Sequence, residues 1–293
     1  MVLDRVAREL RPSSFSLTPR LRSAWTRRPE PGRGSTRIVV RRWHAAADGG
    51  RLVGFLLLPI STNWRALSSK QAGLLLVCGL ALEFPVRYWV RPDMSDLVPG
   101  NPWFHPWLRL GIEAGMLGVF LLVPMLLRVP YAVAGVPRRP WTRWEWLALV
   151  FIGAGELVVV GAIAGSRWLR IWDVRPPAPA LAWVVGEFLF GMNQETGFRG
   201  LIMTGLLRLR GVRSAYAWNM LLFLVGPLHG PGMIDWIASS PGAALGYAVG
   251  VIVHGLAYSW LRHRSDNVVL CAILHGIING SMNGPGLALR FMG

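Results

Sequence analysis

Gly191-Met192-Asn193-Gln194-Glu195-Thr196-Gly197-Phe198-Arg199-Gly200 lies inside a hydrophobic run that begins near Ala180 and continues to about Leu207. A run of that length is enough to cross a bilayer core, which takes about 20 apolar residues. A carboxylate and a guanidinium at such depth are costly, so ionisable groups there point first to function. Glu195 and Arg199 are four apart and share a helix face, where they can pair. Glu187 and Gly191 continue the same row. For this stretch alone, a structural ion pair fits as well as catalysis does. The polar residues downstream tip the balance.

The rest of the composition agrees with a membrane setting. The chain has 293 residues, of which 53% are hydrophobic and 16% charged, with a mean hydropathy of +0.40. Soluble domains carry about 25% charged residues. The net charge of +16 comes almost wholly from arginine, which would suit a nucleic acid. The arginines sit at the ends of apolar runs, however, so membrane topology explains them and no nucleic-acid partner is expected. Cys78 and Cys271 both lie in apolar runs and read as small buried hydrophobes.

These features predict an all-α fold, a polytopic transmembrane bundle of about seven to eight spans. Residues 1–50 form a basic, cytoplasmic, flexible lead without a secretory signal, and 51–293 form the membrane domain. Leu52–Ile60 is too short to span and reads as an interfacial or re-entrant piece. The spans are expected at Gln71–Val90, Trp107–Leu127, Trp144–Gly165, Ala180–Leu207, Ala215–His229, Ala243–Leu261 and Asn267–Met282, with Pro285–Met292 a short tail or a further short helix. Excess arginine marks cytoplasmic loops. The basic lead, Arg128–Arg143, Arg208–Arg213 and Arg262–Arg264 then face inward, and the loops holding Asp93, Asp96 and Asp235 face outward. The N-terminus is cytoplasmic, and only Arg167, Arg170 and Arg175 break the alternation. Gly242, Gly246 and Gly250, and likewise Gly276, Gly280 and Gly284, form ladders spaced by four that predict close helix packing.

His229 ends the fifth expected span, and His275 and Asn279 are an i, i+4 pair on the seventh. Counted from the cytoplasmic ends at roughly 1.5 Å per residue, Glu195, His229 and Asn279 lie about 18–21 Å deep, and Arg199 and His275 about 12–13 Å. Three separate helices thus bring polar side chains to two adjacent levels. A Glu, two His and an Asn in a water-accessible cavity can activate water and stabilise an oxyanion.

Gln194-Glu195-Thr196-Gly197-Phe198-Arg199-Gly200 resembles the E-E-x-x-x-R motif of the CPBP family of intramembrane proteases, the CAAX-protease, Abi or type II CAAX prenyl endopeptidase group. His229 resembles the histidine of that family's F-x-x-x-H motif, and His275 with Asn279 its H-x-x-x-N motif. The resemblance covers roughly Ala180 to Gly284. It implies that the first motif Glu activates water with help from His229, while His275 and Asn279 stabilise the oxyanion. Two positions depart from the pattern. Val225 stands where the second motif has Phe, and Gln194 stands in the first-Glu slot, where an amide cannot act as a base. Glu195 would have to do that work, helped by a local bend near Gly191 or Gly197 that turns it toward His229. No H-E-x-x-H occurs, so a zincin helix is excluded. No cofactor is expected, although His229, His275 and Glu195 leave a metal site open.

The leading expectation is an intramembrane endopeptidase in a bacterial plasma membrane, acting on a peptide or a membrane-protein tail. The alternative is an inactive relative serving as an immunity, regulatory or partner-binding factor. A transporter is disfavoured by the lack of an internal repeat. His254 reads as packed or hydrogen-bonded, His44, His105 and His263 as solvated loop residues, and Glu83, Glu113 and Glu156 as lining a cavity or pairing with arginines.

Overall fold

The computed structural model describes residues 63–90, 105–174, 176–227 and 229–292. The basic lead, Leu52–Ile60, His44, Asp93, Asp96 and Arg175 lie outside the described residues. Each helix begins where the sequence supplies a start signal. Ser68 caps α1 (Ser69–Ala81) in a reciprocal pair with Gln71, and Thr142 does the same with Glu145 at the head of α3 (Arg143–Ile171). Pro106, Pro177 and Pro241 open α2 (Pro106–Leu126), α4 (Pro177–Glu195) and α8 (Pro241–Ser265), in first turns where a missing N–H breaks no helical bond. α1 continues through a π-helical stretch, Leu82–Val86, into a last turn at Arg87–Val90. α4 continues through a second π-helical stretch, Thr196–Ile202, into α5 (Met203–Arg210). Gly211, at φ +76°, turns the chain into α6 (Val212–Val225). A break at Gly226 and Pro227 leads to α7 (Gly230–Ser239), then α8 and α9 (Val268–Met292), with left-handed Asp266 between the last two.

Among the described residues there is no strand. Among the described residues, five helical stretches are long and apolar enough to cross a membrane: Ser69–Val86, Pro106–Leu126, Arg143–Ile171, Pro241–Ser265 and Val268–Met292. The chain is an integral membrane helical bundle. Its lipid-facing sides expose residues such as Phe151, Val158, Leu169 and Leu245. The column from α4 to α5 is more polar, and it forms the interior. Every residue from Asn193 to Leu207 is buried.

That column is fixed by close backbone approach. α4 packs most extensively against α9 and then against α2. A Cβ at Gly191 would come 2.5 Å from the His275 carbonyl oxygen, one at Gly276 2.8 Å from the Phe188 ring, and one at Gly284 2.6 Å from the Val184 Cα. Only hydrogen fits at these points. The ladder expected on the last span therefore packs as predicted. The ladder on α8 does not: a Cβ at Gly242, Gly246 or Gly250 would meet nothing within 4 Å.

A buried chain of charges ties α1, α2, α4 and α9 together. Glu83 pairs with Arg87 at 2.7 Å, Arg87 with Glu113 at 3.6 Å, Arg109 with Glu113 at 2.9 Å and Arg109 with Glu187 at 3.7 Å. Asn193 donates to the Glu113 carboxylate at 2.8 Å and Asn283 to that of Glu187 at 3.4 Å. At membrane depth each charge needs such a partner.

Several expectations are corrected. The fifth span ends at Val225, not His229, because Gly226 and Pro227 stop it, and it has 14 residues. The third runs on to Ile171, so Arg167 and Arg170 are helical and not loop residues. Trp168 on that extension donates to the Ser281 carbonyl at 2.8 Å. Pro285–Met292 belongs to α9, which carries Pro285 internally. Neighbouring helices can satisfy the carbonyl that a proline frees. His263 is a buried residue of α8 bonded to Tyr216, not a solvated loop histidine.

Candidate active site

Glu195 is the last residue of α4, and Arg199 lies within the π-helical stretch that follows. Two local features loosen the helix there. The Thr196 hydroxyl donates back to the Met192 carbonyl at 2.9 Å, a bond that bends helices. Gly197 lies directly under the Glu83 carboxylate, which occupies the space a Cβ would need. π-helical turns of this kind are rare and recur at functional sites.

The Glu195 carboxylate is fully buried, and its two oxygens differ. Oε1 accepts from Arg199 Nη1 at 3.1 Å and meets His275 Nδ1 at 2.7 Å. Oε2 is buried and has no hydrogen bond. Arg199 also donates to the Gly255 carbonyl at 3.1 Å and stacks its guanidinium over Phe223 at 4.2 Å. Its charge is thus divided among a carboxylate, a carbonyl and a ring face, which is how a fully buried arginine is tolerated.

His229 sits between α6 and α7, and its Nδ1 lies 2.6 Å from the Tyr247 hydroxyl. Phe223 links the two histidines, with ring centroids 4.7 Å from His229 and 6.1 Å from His275. His229 and His275 are therefore on one side of the bundle, against one shared ring. The expected turn of Glu195 toward His229 is not what the fold provides. Glu195 bonds to His275, because α4 and α9 are in direct backbone contact at Gly191 and His275, whereas Tyr247 takes the His229 Nδ1 position.

Gln194 is 1% exposed, and its Oε1 has no hydrogen bond. Asn279 is half-buried on α9, one turn beyond His275. The polar residues expected to gather thus do so in two steps: Glu195, Arg199 and His275 bond directly, and His229 joins through Phe223. Among the described residues no three His, Cys, Asp or Glu side chains converge to hold a metal ion.

Sequence reasoning did not single out Phe223, Tyr247 or Tyr258, which line the two histidines. No spacing rule brings them there from other helices. It allowed Glu83 and Glu113 to pair with arginines, as they do, but did not name Arg87 and Arg109 as the partners. Their positions four from Glu83 and Glu113 inside apolar runs were the signal that would have found them.

Residues 176–281 match the family model of the Rce1-like type II CAAX prenyl endopeptidases. No curated protein and no solved structure matches the chain. The matched stretch holds the Glu195–Arg199 pair, the Phe223-linked histidines and Asn279, so over those residues the chain is similar to the Rce1-like type II CAAX prenyl endopeptidases, the group its motifs resemble.

Proposed function

We propose that the chain is an intramembrane endopeptidase in which Glu195 activates the attacking water. The observation that carries this reading is the asymmetric Glu195 carboxylate, with Oε1 bonded to Arg199 and His275 and Oε2 buried and unbonded. Arg199 and His275 fix the carboxylate, and Oε2 accepts a proton from water. The hydroxide adds to the scissile carbonyl carbon and forms a tetrahedral oxyanion. Asn279 and a histidine N–H are the groups available to stabilise that charge. The proton then passes from Glu195 to the leaving amine as the C–N bond breaks. The substrate is a peptide or a membrane-protein tail, presented in a bacterial plasma membrane. The N-terminal lead and the Arg208–Arg213 turn are cytoplasmic in this reading.

Gln194 favours a second reading. A buried amide in the first-Glu slot cannot take a proton, which fits a silent relative that binds a membrane partner. Cleavage of a membrane-anchored peptide library by the reconstituted chain separates the two. The endopeptidase reading requires an active wild type, a fall of about 10²–10⁴-fold in Glu195→Gln, and no large gain in Gln194→Glu. A silent wild type that Gln194→Glu switches on means that the partner-binding reading holds.

A further inference from the structure

α8 carries none of the three motifs, yet it touches all of them. The Tyr247 hydroxyl lies 2.6 Å from His229 Nδ1. The Gly255 carbonyl accepts from Arg199 at 3.1 Å. The Tyr258 ring lies 5.6 Å from the ring of His275. Residues eight and eleven apart fall within about 80° on a helix, so one face of α8 serves all three contacts. Close approach at the middle contact depends on Gly255, where a Cβ would lie 2.6 Å from Met220 Sδ and 3.2 Å from Arg199 Nη2.

Tyr258 is itself anchored. Its hydroxyl donates to Oε1 of Glu156 on α3, a carboxylate 6% exposed whose Oε2 has no hydrogen bond. Three helices therefore meet behind His275: α3 holds Tyr258, α8 presents it, and α9 carries the histidine. An imidazole ring works in catalysis only when its plane and tautomer are set by what surrounds it. Glu195 and Arg199 face His275 from the α4 column, and Tyr258 with Glu156 behind it closes the α8 and α3 side.

We propose that Tyr247 and Tyr258 are positioning residues of the active site, each fixing the ring of one motif histidine from α8, with Glu156 locking Tyr258 in place. This rests on the endopeptidase reading for its effect on catalysis, but not for its effect on the histidines. Tyr247 holds the His229 ring at Nδ1, which leaves Nε2 as the other nitrogen, and Tyr258 holds His275 so that Nδ1 stays on Glu195.

The test uses the full chain in lipid nanodiscs, with ¹⁵N-histidine NMR alongside peptide cleavage. His229→Ala and His275→Ala spectra assign the two ring signals. Tyr247→Phe is expected to move the His229 ring nitrogens and Tyr258→Phe those of His275. Each lowers kcat by roughly tenfold or more with little change in KM, as misplaced catalytic groups do. Glu156→Leu should reproduce Tyr258→Phe, and Glu156→Gln, whose amide oxygen still accepts, should recover most of the loss. Tyr131→Phe is the control, because its hydroxyl bonds to the Leu121 carbonyl outside the site. Unmoved ring signals in both Tyr→Phe variants overturn the proposal, whatever the activity. Moved ring signals with kcat unchanged in an active wild type overturn the catalytic role. A silent wild type with moved ring signals overturns the endopeptidase reading and leaves the positioning contacts standing.

Discussion

Two buried polar clusters lie side by side in the bundle, and they are built on opposite principles. In the chain from Glu83 to Glu187, every carboxylate is answered by a guanidinium within 3.7 Å. In the cluster at Glu195, one carboxylate oxygen holds two partners and the other holds none. A network that pairs every carboxylate in a low-dielectric interior is scaffolding, because removing one partner leaves a stranded charge. A buried carboxylate oxygen without a partner calls for an explanation, and the endopeptidase reading supplies one, a water to be activated. The first cluster ties α1, α2, α4 and α9 together, and the second sits where those helices are held still.

The strongest way to break this contrast is to remove one charge from the scaffold. Arg87→Met strands Glu83 and is expected to destabilise the fold by about 3–5 kcal/mol, read by chemical unfolding in detergent. Adding Glu83→Gln to it should recover most of the loss, since removing both charges leaves no buried orphan. If the double variant is no more stable than Arg87→Met, the pair is not acting as a pair. A smaller effect tests the glycine contacts that bring α4 and α9 together. Gly276→Leu must displace Phe188 and is expected to cost roughly 1–3 kcal/mol, the usual range for overpacking. The smallest effect belongs to α8, where Gly246→Leu meets open space. It should change stability by no more than about 0.5 kcal/mol, as exposed substitutions do. A large loss there would mean that the α8 glycine row is covered in the membrane.

Much of the site was legible in the sequence because its contacts are local. The Glu195–Arg199 pair follows from a spacing of four, and the packed ladder at Gly276, Gly280 and Gly284 follows from the same rule. The matching row at Gly242, Gly246 and Gly250 reads identically, yet it packs against nothing described. Periodicity says which face is small and not which face is covered. The partner of Glu195 was not legible either. His275 and His229 are equally compatible with the motif order, and only the backbone contact at Gly191 selects His275. The fifth span was drawn too long because its apolar run continues past Gly226 and Pro227, although the helix cannot.

That shortened helix has a consequence for the surrounding lipid. The 14 residues of Val212–Val225 reach only about 21 Å, against a hydrocarbon thickness of roughly 30 Å. Trp218, Leu221 and Val225 on its outer side are exposed. A hydrophobic surface this short thins a bilayer that surrounds it. Thinning at this helix would bring headgroups, and the water that accompanies them, closer to the break that carries His229. For the endopeptidase proposed above, the short helix would then be a route by which water reaches a site among lipid tails.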